Sequence, residues 1–350
     1  MKTIARAPGK LFIAGEYAVT TGLSPAIISA VPKYLTVSLK KEMTGRISSD
    51  KYSQDLHFVR DNNGRIRFEH NRYFAIVQRC IHITEQYLQE HNCFTPSLFH
   101  IHITSELDDK HTGKKYGLGS SGALSIATIK GLLSFYQHEY SPLLVYKLAC
   151  LAHLSLKSHG SFGDLAASAF GGLIVYRLFD KQWVQEQWKN FSLSHVLSLE
   201  WPNLVIKPLQ WPKSTYFLVG WTGSPASTEQ LVADIKQTKK NVSYQQFIQN
   251  SRHCIACLES ALKTGEHDKI AKYIRYNRQL LQGLSKHIET PLLRRLCHIA
   301  ERYHCASKVS GAGGGDCGIC LIQENEHAMI KKCWQQNGIE TLFTLGGHHV

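Results

Sequence analysis

The sequence has 350 residues, with 40 Lys and Arg against 27 Asp and Glu and a formal net charge of +13 at pH 7. That length predicts about two domains at ~100–200 residues each. Hydrophobic residues at 43% and charged residues at 19% exclude disordered, collagen-like and low-complexity chains. The positive balance makes a polyanion a plausible partner, but the basic residues are spread along the chain, and no block of about five or six marks a nucleic-acid tail.

The ten cysteines lie mostly inside apolar stretches, such as YKLACLAHL around Cys150 and RYHCASKV around Cys305, as free intracellular thiols do. The two CxxC pairs, Cys254/Cys257 and Cys317/Cys320, are too far apart for a zinc ribbon. The second pair reads as a strand, where i and i+3 face opposite ways, so no zinc site is expected. The N-terminus has only Leu11 to Ala14 as an uninterrupted apolar stretch, too short for a secretory signal. No run of apolar residues is long enough to span a membrane. A cytoplasmic location is expected, with no membrane partner.

In chain order, the first 110 residues read as strands and turns with one helix. Leu35 to Leu39 and Ser97 to Thr104 alternate as strands do, and Tyr73 to Leu88 has helical apolar spacing. A polar loop, SELDDKHTGKKYGLGSSG, leads into a helix over Ser120 to Tyr136. Ser141-Pro142 opens another with an N-cap and a first-position proline. Five of the six tryptophans fall between 183 and 221, without a clean period until TYFLVGW at 215–221. The domain junction is expected in this segment, dividing the chain into 1–190 and 191–350. The second half is mostly helical, with stripes at 244–262, 270–284 and from Pro291 to Tyr303. A glycine loop, the strand CGICLI, a helix ending near Asn337-Gly338 and a strand over Ile339 to Thr344 follow. This order predicts an α+β layer, and no internal repeat is visible.

Four stretches carry chemistry. Lys114-Lys115-Tyr116-Gly117-Leu118-Gly119-Ser120-Ser121-Gly122 runs directly into a helix. Its glycines allow close approach to an anion, the helix start offers free N–H groups and a positive dipole end, and the serines add hydroxyls. It reads as a phosphate cradle but matches neither the P-loop nor the dinucleotide fingerprint. Ser310-Gly311-Ala312-Gly313-Gly314-Gly315-Asp316 is a loop nearly without side chains, costly in entropy unless something approaches its backbone. Ala7 to Tyr17 places Lys10 before an apolar strand and Gly15-Glu16-Tyr17 after it. Ser158 to Ser168 puts Asp164 at the start of an Ala-rich helix, where the dipole favours a carboxylate. Taken singly, each has a plain alternative: a tight turn, a connection, a surface lysine or a helix cap.

Together they resemble a known family. APGKLFIAGEYAV, KYGLGSSGA and VSGAGGGDCG are similar to the three motifs of the GHMP kinases, across the chain from Lys10 to Gly318. GSFGDLAASAFGG, FLVGWTGSPAST and SGAGGGDCGI resemble its bacterial phosphomevalonate kinase branch rather than mevalonate or galactose kinases. The resemblance implies a GHMP kinase fold, with an N-terminal domain like ribosomal protein S5 domain 2, a C-terminal ferredoxin-like domain and an active site between them. It implies ATP and Mg²⁺ as cofactors, 5-phosphomevalonate as small-molecule substrate, no nucleic-acid partner, and a monomer or homodimer.

Residue by residue, the resemblance implies that Lys115, Gly117, Leu118, Gly119, Ser120, Ser121 and Gly122 bind ATP and that Ser121 ligates Mg²⁺. Lys10 would bridge donor and acceptor phosphates, and Asp164 would be the catalytic carboxylate. Glu16, Tyr17, Ser161, Gly163, Ser227, Ser310, Gly311, Ala312 and Gly313, with Lys10, would contact the substrate. Related kinases use a separate Glu as second metal ligand, and the turn SHGSFG has no carboxylate to match it.

Overall fold

A computed structural model describes residues 2–69, 73–224, 231, 242–323 and 327–347. The first of its two sheets is built from β1 (Lys2–Ala14), β2 (Ala26–Lys41), β3 (Gly45–Ser49), β4 (Tyr52–Arg60), β5 (Ile66–Phe68), β6 (Phe99–Ser105), β7 (Leu173–Arg177) and β8 (Val205–Leu209). The strand order is β5-β4-β3-β6-β2-β7-β8, and β1 pairs with β2 outside that path.

The long strand β2 serves two neighbours on one side. Its first part, Ala26 to Ser29, pairs with β7, and its second, Leu35 to Lys41, with β6. Between them β2 advances from Ala30 to Tyr34 while β1 advances only from Lys10 to Pro8. The extra residues include Pro32, which has no N–H to give to a ladder and so sits where pairing breaks. The β1 ladder is thereby interrupted at Gly9, beside Lys10.

Helices α1 (Ala75–Glu90), α2 (Ser120–Phe135), α3 (Pro142–Ser155) and α4 (Gly163–Phe170) form the second layer. Both α2 and α4 lie on β1 and β2, and α1 and α3 pack beside α2. The early part of β1 accordingly alternates, with Ala5, Ala7 and Gly9 buried and Ile4 and Arg6 exposed. As the sequence predicts, Ser141 caps α3, accepting the Leu144 N–H at 3.1 Å.

The segment without a clean period contains α5 (Lys181–Asn190), α6 (Leu193–Ser198) and β8. Because β8 pairs with β7, the first sheet extends to Leu209. The change of sheet therefore falls between Leu209 and Tyr216, later than the expected 190/191 division. These short polar elements are held by caps that a hydrophobic period does not register. Asp180, for example, accepts the Trp183 N–H at 3.0 Å.

The second sheet contains β9 (Tyr216–Trp221), β10 (Ser307–Ser310), β11 (Cys317–Ile322) and β12 (Glu340–Gly346), in the order β10-β11-β9-β12. All its pairings are antiparallel. Helices α7 (Val242–Thr264), α8 (His267–Leu284) and α9 (Pro291–Arg302) stand between β9 and β10, and α10 (His327–Gln336) between β11 and β12. This is the split βαβ pattern of a ferredoxin-like domain, with further helices in the first crossover. The fold is the α+β arrangement expected.

Candidate active site

The cradle stretch forms as its composition dictates. Gly117 and Gly119 adopt φ of +80° and +77°, a region that costs a residue with a Cβ roughly 1–2 kcal/mol, and Gly119 precedes the first turn of α2. Ser121 is exposed and Ser120 half-buried. The backbone N–H of Lys10 donates to Leu118 O at 2.8 Å, and Lys10 Nζ donates to Gly117 O at 3.0 Å.

Asp164 approaches from the other side. It lies in the first turn of α4, after Phe162 at φ 55°. Gly163 is buried there because a Cβ would stand 2.5 Å from Ile28 Cδ1. A Cβ at Gly119 would lie 2.9 Å from Lys10 Cγ and 3.3 Å from Asp164 Cβ, and one at Gly122 would lie 2.8 Å from Asp164 Oδ2. Lys10, Asp164 and the start of α2 thus share one corner, and it closes only because these positions lack side chains. Behind it, His153 Nε2 lies 2.9 Å from Ser125 Oγ, which itself donates to Ser121 O at 3.0 Å. Burial lowers the His153 pKa, with Asp164 opposing, so the ring is neutral at pH 7.

The second glycine loop faces this corner from the other domain. Ser310 Oγ donates to Phe12 O at 2.8 Å, and the Tyr17 hydroxyl donates to Ala312 O. Burial, reinforced by Glu16, pushes the Tyr17 phenol upward and keeps that proton in place. A Cβ at Gly311 would lie 3.9 Å from Lys10 Nζ. Gly313, at φ +73°, packs against Ile288, whose carbonyl accepts the Gly314 N–H at 2.9 Å. Cys317 Sγ donates to Tyr116 O at 3.1 Å, and the Asp316 carboxyl covers Gly117.

Other expected residues sit differently. Glu16, expected at the substrate, is buried instead: its Oε1 pairs with Lys308 Nζ at 2.5 Å, with the two side chains 2% and 0% exposed. A carboxylate so enclosed is out of reach of a ligand in the cleft. The Ser310 hydroxyl is likewise engaged by Phe12. Ser161 is half-buried, and its carbonyl accepts the Tyr176 hydroxyl at 2.7 Å. Ser227 lies outside the described residues.

No motif pointed to the hollow beside the cradle. A cavity of about 180 Å³ opens next to Ser120 and Ser121, lined by Leu35, Tyr52, Tyr73 and Phe74. It adjoins a cavity of about 590 Å³ lined mostly by charged residues, and the two share Lys51, Tyr52, Ser105 and Lys115. The Tyr52 ring lies 4.7 Å from Tyr73 and 5.6 Å from Phe74. Lys51 is paired with Asp108. These side chains come from β2, β4 and the approach to α1, too dispersed in sequence to read as a group; the only local signal is the Tyr73-Phe74 pair. Apolar walls beside a phosphate cradle are what a nucleotide base requires. Among the described residues no cluster of three metal-ligating side chains occurs, and no helix is long and apolar enough to cross a membrane.

The model of the GHMP kinase N-terminal domain matches residues 75–172, and that of the GHMP kinase C-terminal domain matches residues 258–339. The chain belongs to the GHMP kinase family and is an ATP-dependent phosphotransferase. It is 36% identical to the phosphomevalonate kinase of Streptomyces sp. strain CL190, over 97% of this chain and 96% of that one. The solved structure of Streptococcus pneumoniae phosphomevalonate kinase in complex with phosphomevalonate and AMPPNP is 32% identical. It has a TM-score of 0.89 and covers 98% of this chain and 99% of its own. Mevalonate kinase of Thermococcus sibiricus is more distant, 25% identical over 93% of this chain and 91% of the relative.

Proposed function

We propose that this chain transfers the γ-phosphoryl group of ATP to (R)-5-phosphomevalonate, giving ADP and (R)-5-diphosphomevalonate in the mevalonate route to isoprenoids. The observation that carries the chemistry is the position of Lys10. Its ammonium is 3.0 Å from Gly117 O on one glycine loop and 3.9 Å from where a Cβ of Gly311 on the other would be. The likeness to the Streptomyces and Streptococcus phosphomevalonate kinases supports the choice of acceptor.

An oxygen of the acceptor phosphate attacks the γ-phosphorus while the bond to the β-phosphate oxygen breaks and ADP leaves. Such transition states are loose, so positioning and neutralisation supply most of the catalysis. The acceptor is a phosphate monoester with a second pKa of about 6, mostly a dianion at pH 7. It needs no strong base; it needs relief of repulsion between two multiply charged groups. Lys10 supplies this at the meeting point. The backbone amides of residues 117–122 and the Lys115 ammonium hold the triphosphate, and the Tyr52, Tyr73 and Phe74 pocket holds the base. Ala312 and Gly313 form the floor under the acceptor, where Ala312 O holds the Tyr17 hydroxyl, and the Ser161 hydroxyl is left as a donor for the acceptor's own phosphate. Asp164 orients Lys10 and the metal rather than removing a proton.

Mg²⁺ is expected to enter with the nucleotide. The exposed Ser121 hydroxyl and the Asp164 carboxylate are hard oxygen donors, and water and ATP oxygens complete such shells. When bound, the ion would neutralise phosphate charge. A coupled ADP-release assay with 5-phosphomevalonate and with mevalonate tests the reading. Turnover of the first at least about 10²-fold above the second is expected, because donors built for a phosphate are left unpaired by an acceptor without one. Equal or reversed preference overturns it.

A further inference from the structure

The Glu16–Lys308 pair joins two segments that flank the reaction corner without entering it. Glu16 follows β1 in the first domain, and Lys308 lies in β10 of the second. Their side chains are 2% and 0% exposed, so neither charge is available to a ligand. Lys308 Nζ also donates to Val309 O at 2.5 Å. The same Glu16 Oε1 accepts the Gly311 N–H at 3.3 Å. Glu16 Oε2 is buried without a hydrogen-bond partner among the described residues. Two more ties run between the same segments, from Ser310 Oγ to Phe12 O and from the Tyr17 hydroxyl to Ala312 O.

Moving two charges out of water is costly, and hydrophobic replacement of such a pair is often neutral or stabilising. Net stability therefore gives little reason for an ion pair here. What the pair does provide is a fixed distance between charges, transmitted to the loop through the Gly311 amide. We infer that Glu16 and Lys308 are positioning residues, whose buried ion pair across the domain boundary sets the glycine loop at residues 310–313 against Lys10. This rests on the kinase reading above for its activity assay. The acceptor floor lies on that loop, whereas the ATP cradle at residues 117–122 belongs wholly to the first domain. Disturbing the pair should therefore act on the acceptor and on turnover, and leave the nucleotide alone.

The test is the double substitution Glu16→Leu/Lys308→Met in the full chain, which removes both charges together and leaves neither unpaired. The expected result is a Tm close to wild type with kcat lower by about tenfold or more, since misplacement by 1 Å can cost about 10²-fold. KM for 5-phosphomevalonate rises, while the Kd for a fluorescent ATP analogue without acceptor stays within about twofold. Amide hydrogen exchange across residues 310–315 speeds up selectively, a readout independent of the acceptor. A folded double variant with kcat/KM within about twofold of wild type and unchanged exchange in the loop overturns the inference. So does a nucleotide Kd that weakens in parallel with acceptor KM, which would mark a general structural role. If the double variant does not fold, Glu16→Gln, which keeps the shape and an acceptor for Gly311, is read instead. A loss of about threefold in acceptor kcat/KM supports the inference and none overturns it. If wild type proves to use mevalonate, the substrate reading fails and the same comparisons, run with mevalonate, still decide the role of the pair.

Discussion

Gly122→Ala tests the packing of the reaction corner with little interference from folding. Gly122 lies in the first turn of α2 without a positive φ, so alanine suits the backbone and raises intrinsic helix stability by ~1 kcal/mol. The added Cβ would stand 2.8 Å from Asp164 Oδ2, 3.0 Å from Cγ and 3.2 Å from Cβ, where ordinary contact begins at 3.4 Å. The carboxylate oxygen must therefore retreat by about 0.6 Å, the difference between 3.4 and 2.8 Å. Rotation of the side chain relieves the first two contacts but not that with Asp164 Cβ, and Gly163 is already packed on Ile28. With a 1 Å misplacement costing up to about 10²-fold, 0.6 Å corresponds to roughly tenfold in kcat, or ~1.4 kcal/mol of barrier. Saturating ADP-release assays and a thermal melt should show kcat down about tenfold with Tm within a few degrees of wild type. A kcat within about twofold of wild type at unchanged Tm would refute the idea that Asp164 must hold this position.

Lys10→Ala should reduce kcat more than Asp164→Asn, by roughly 10²–10³-fold as for loss of one preorganised electrostatic group. Asp164→Asn should leave the shape of the pH–rate profile unchanged, and steady-state kinetics from about pH 5 to 9 check both. Tyr52→Ala should raise KM for ATP about tenfold at nearly constant kcat, since base–aromatic stacking is worth ~1–3 kcal/mol. Stability should fall in acid through Glu289, which is paired with Arg278 at 2.8 Å. Burial raises the Glu289 carboxyl pKa, but Arg278, Gln282 and Arg294 outweigh it and the net shift is downward. Its contribution is thus full above the unfolded value of about 4.3 and is lost as pH falls through the lower folded value. Urea melts should show Glu289→Gln less stable than wild type by roughly 1.5–3 kcal/mol near neutrality, as for a hydrogen bond to a charged group, with the difference shrinking as pH falls below about 4.3.

The glycine stretches were legible because backbone requirements restrict composition: a side chain is strained at the left-handed Gly119 and at Gly122 would push on Asp164. The long helices were legible for the usual reason, a sustained apolar stripe. α5, α6 and β8 were not, because caps and edge pairing hold them. The hollow beside the cradle was hidden because its walls meet only after β2, β4 and the approach to α1 are assembled. Glu16 was misplaced for a related reason. Its motif position suggested a ligand contact, and its partner Lys308 is distant in sequence, on another strand and in another domain, with nothing to mark it as anything but a solvated lysine. The net charge was the weakest guide, since Lys308 and Lys147 spend their charge on internal acceptors.

The position of Lys10 follows from what β1 must do along its length. Within ten residues this strand and its extension touch both glycine loops. Gly9 fits against Leu107 and Leu118 O, each 2.7 Å from where its Cβ would be, and the Lys10 N–H donates to Leu118 O. Two residues on, Phe12 O receives Ser310, and Glu16 and Tyr17 take Gly311 and Ala312. A lysine between these anchorages reaches both loops, and beside the break in the ladder at Gly9 its backbone N–H bonds the cradle while Lys10 still sits opposite Ala30 of β2. The two sets of anchors come from different domains, so the alignment of Lys10 depends on the domain boundary as well as on β1. Substitutions far from the cleft that loosen the boundary should therefore lower kcat before they lower nucleotide affinity, whereas those that loosen α2 should do the reverse.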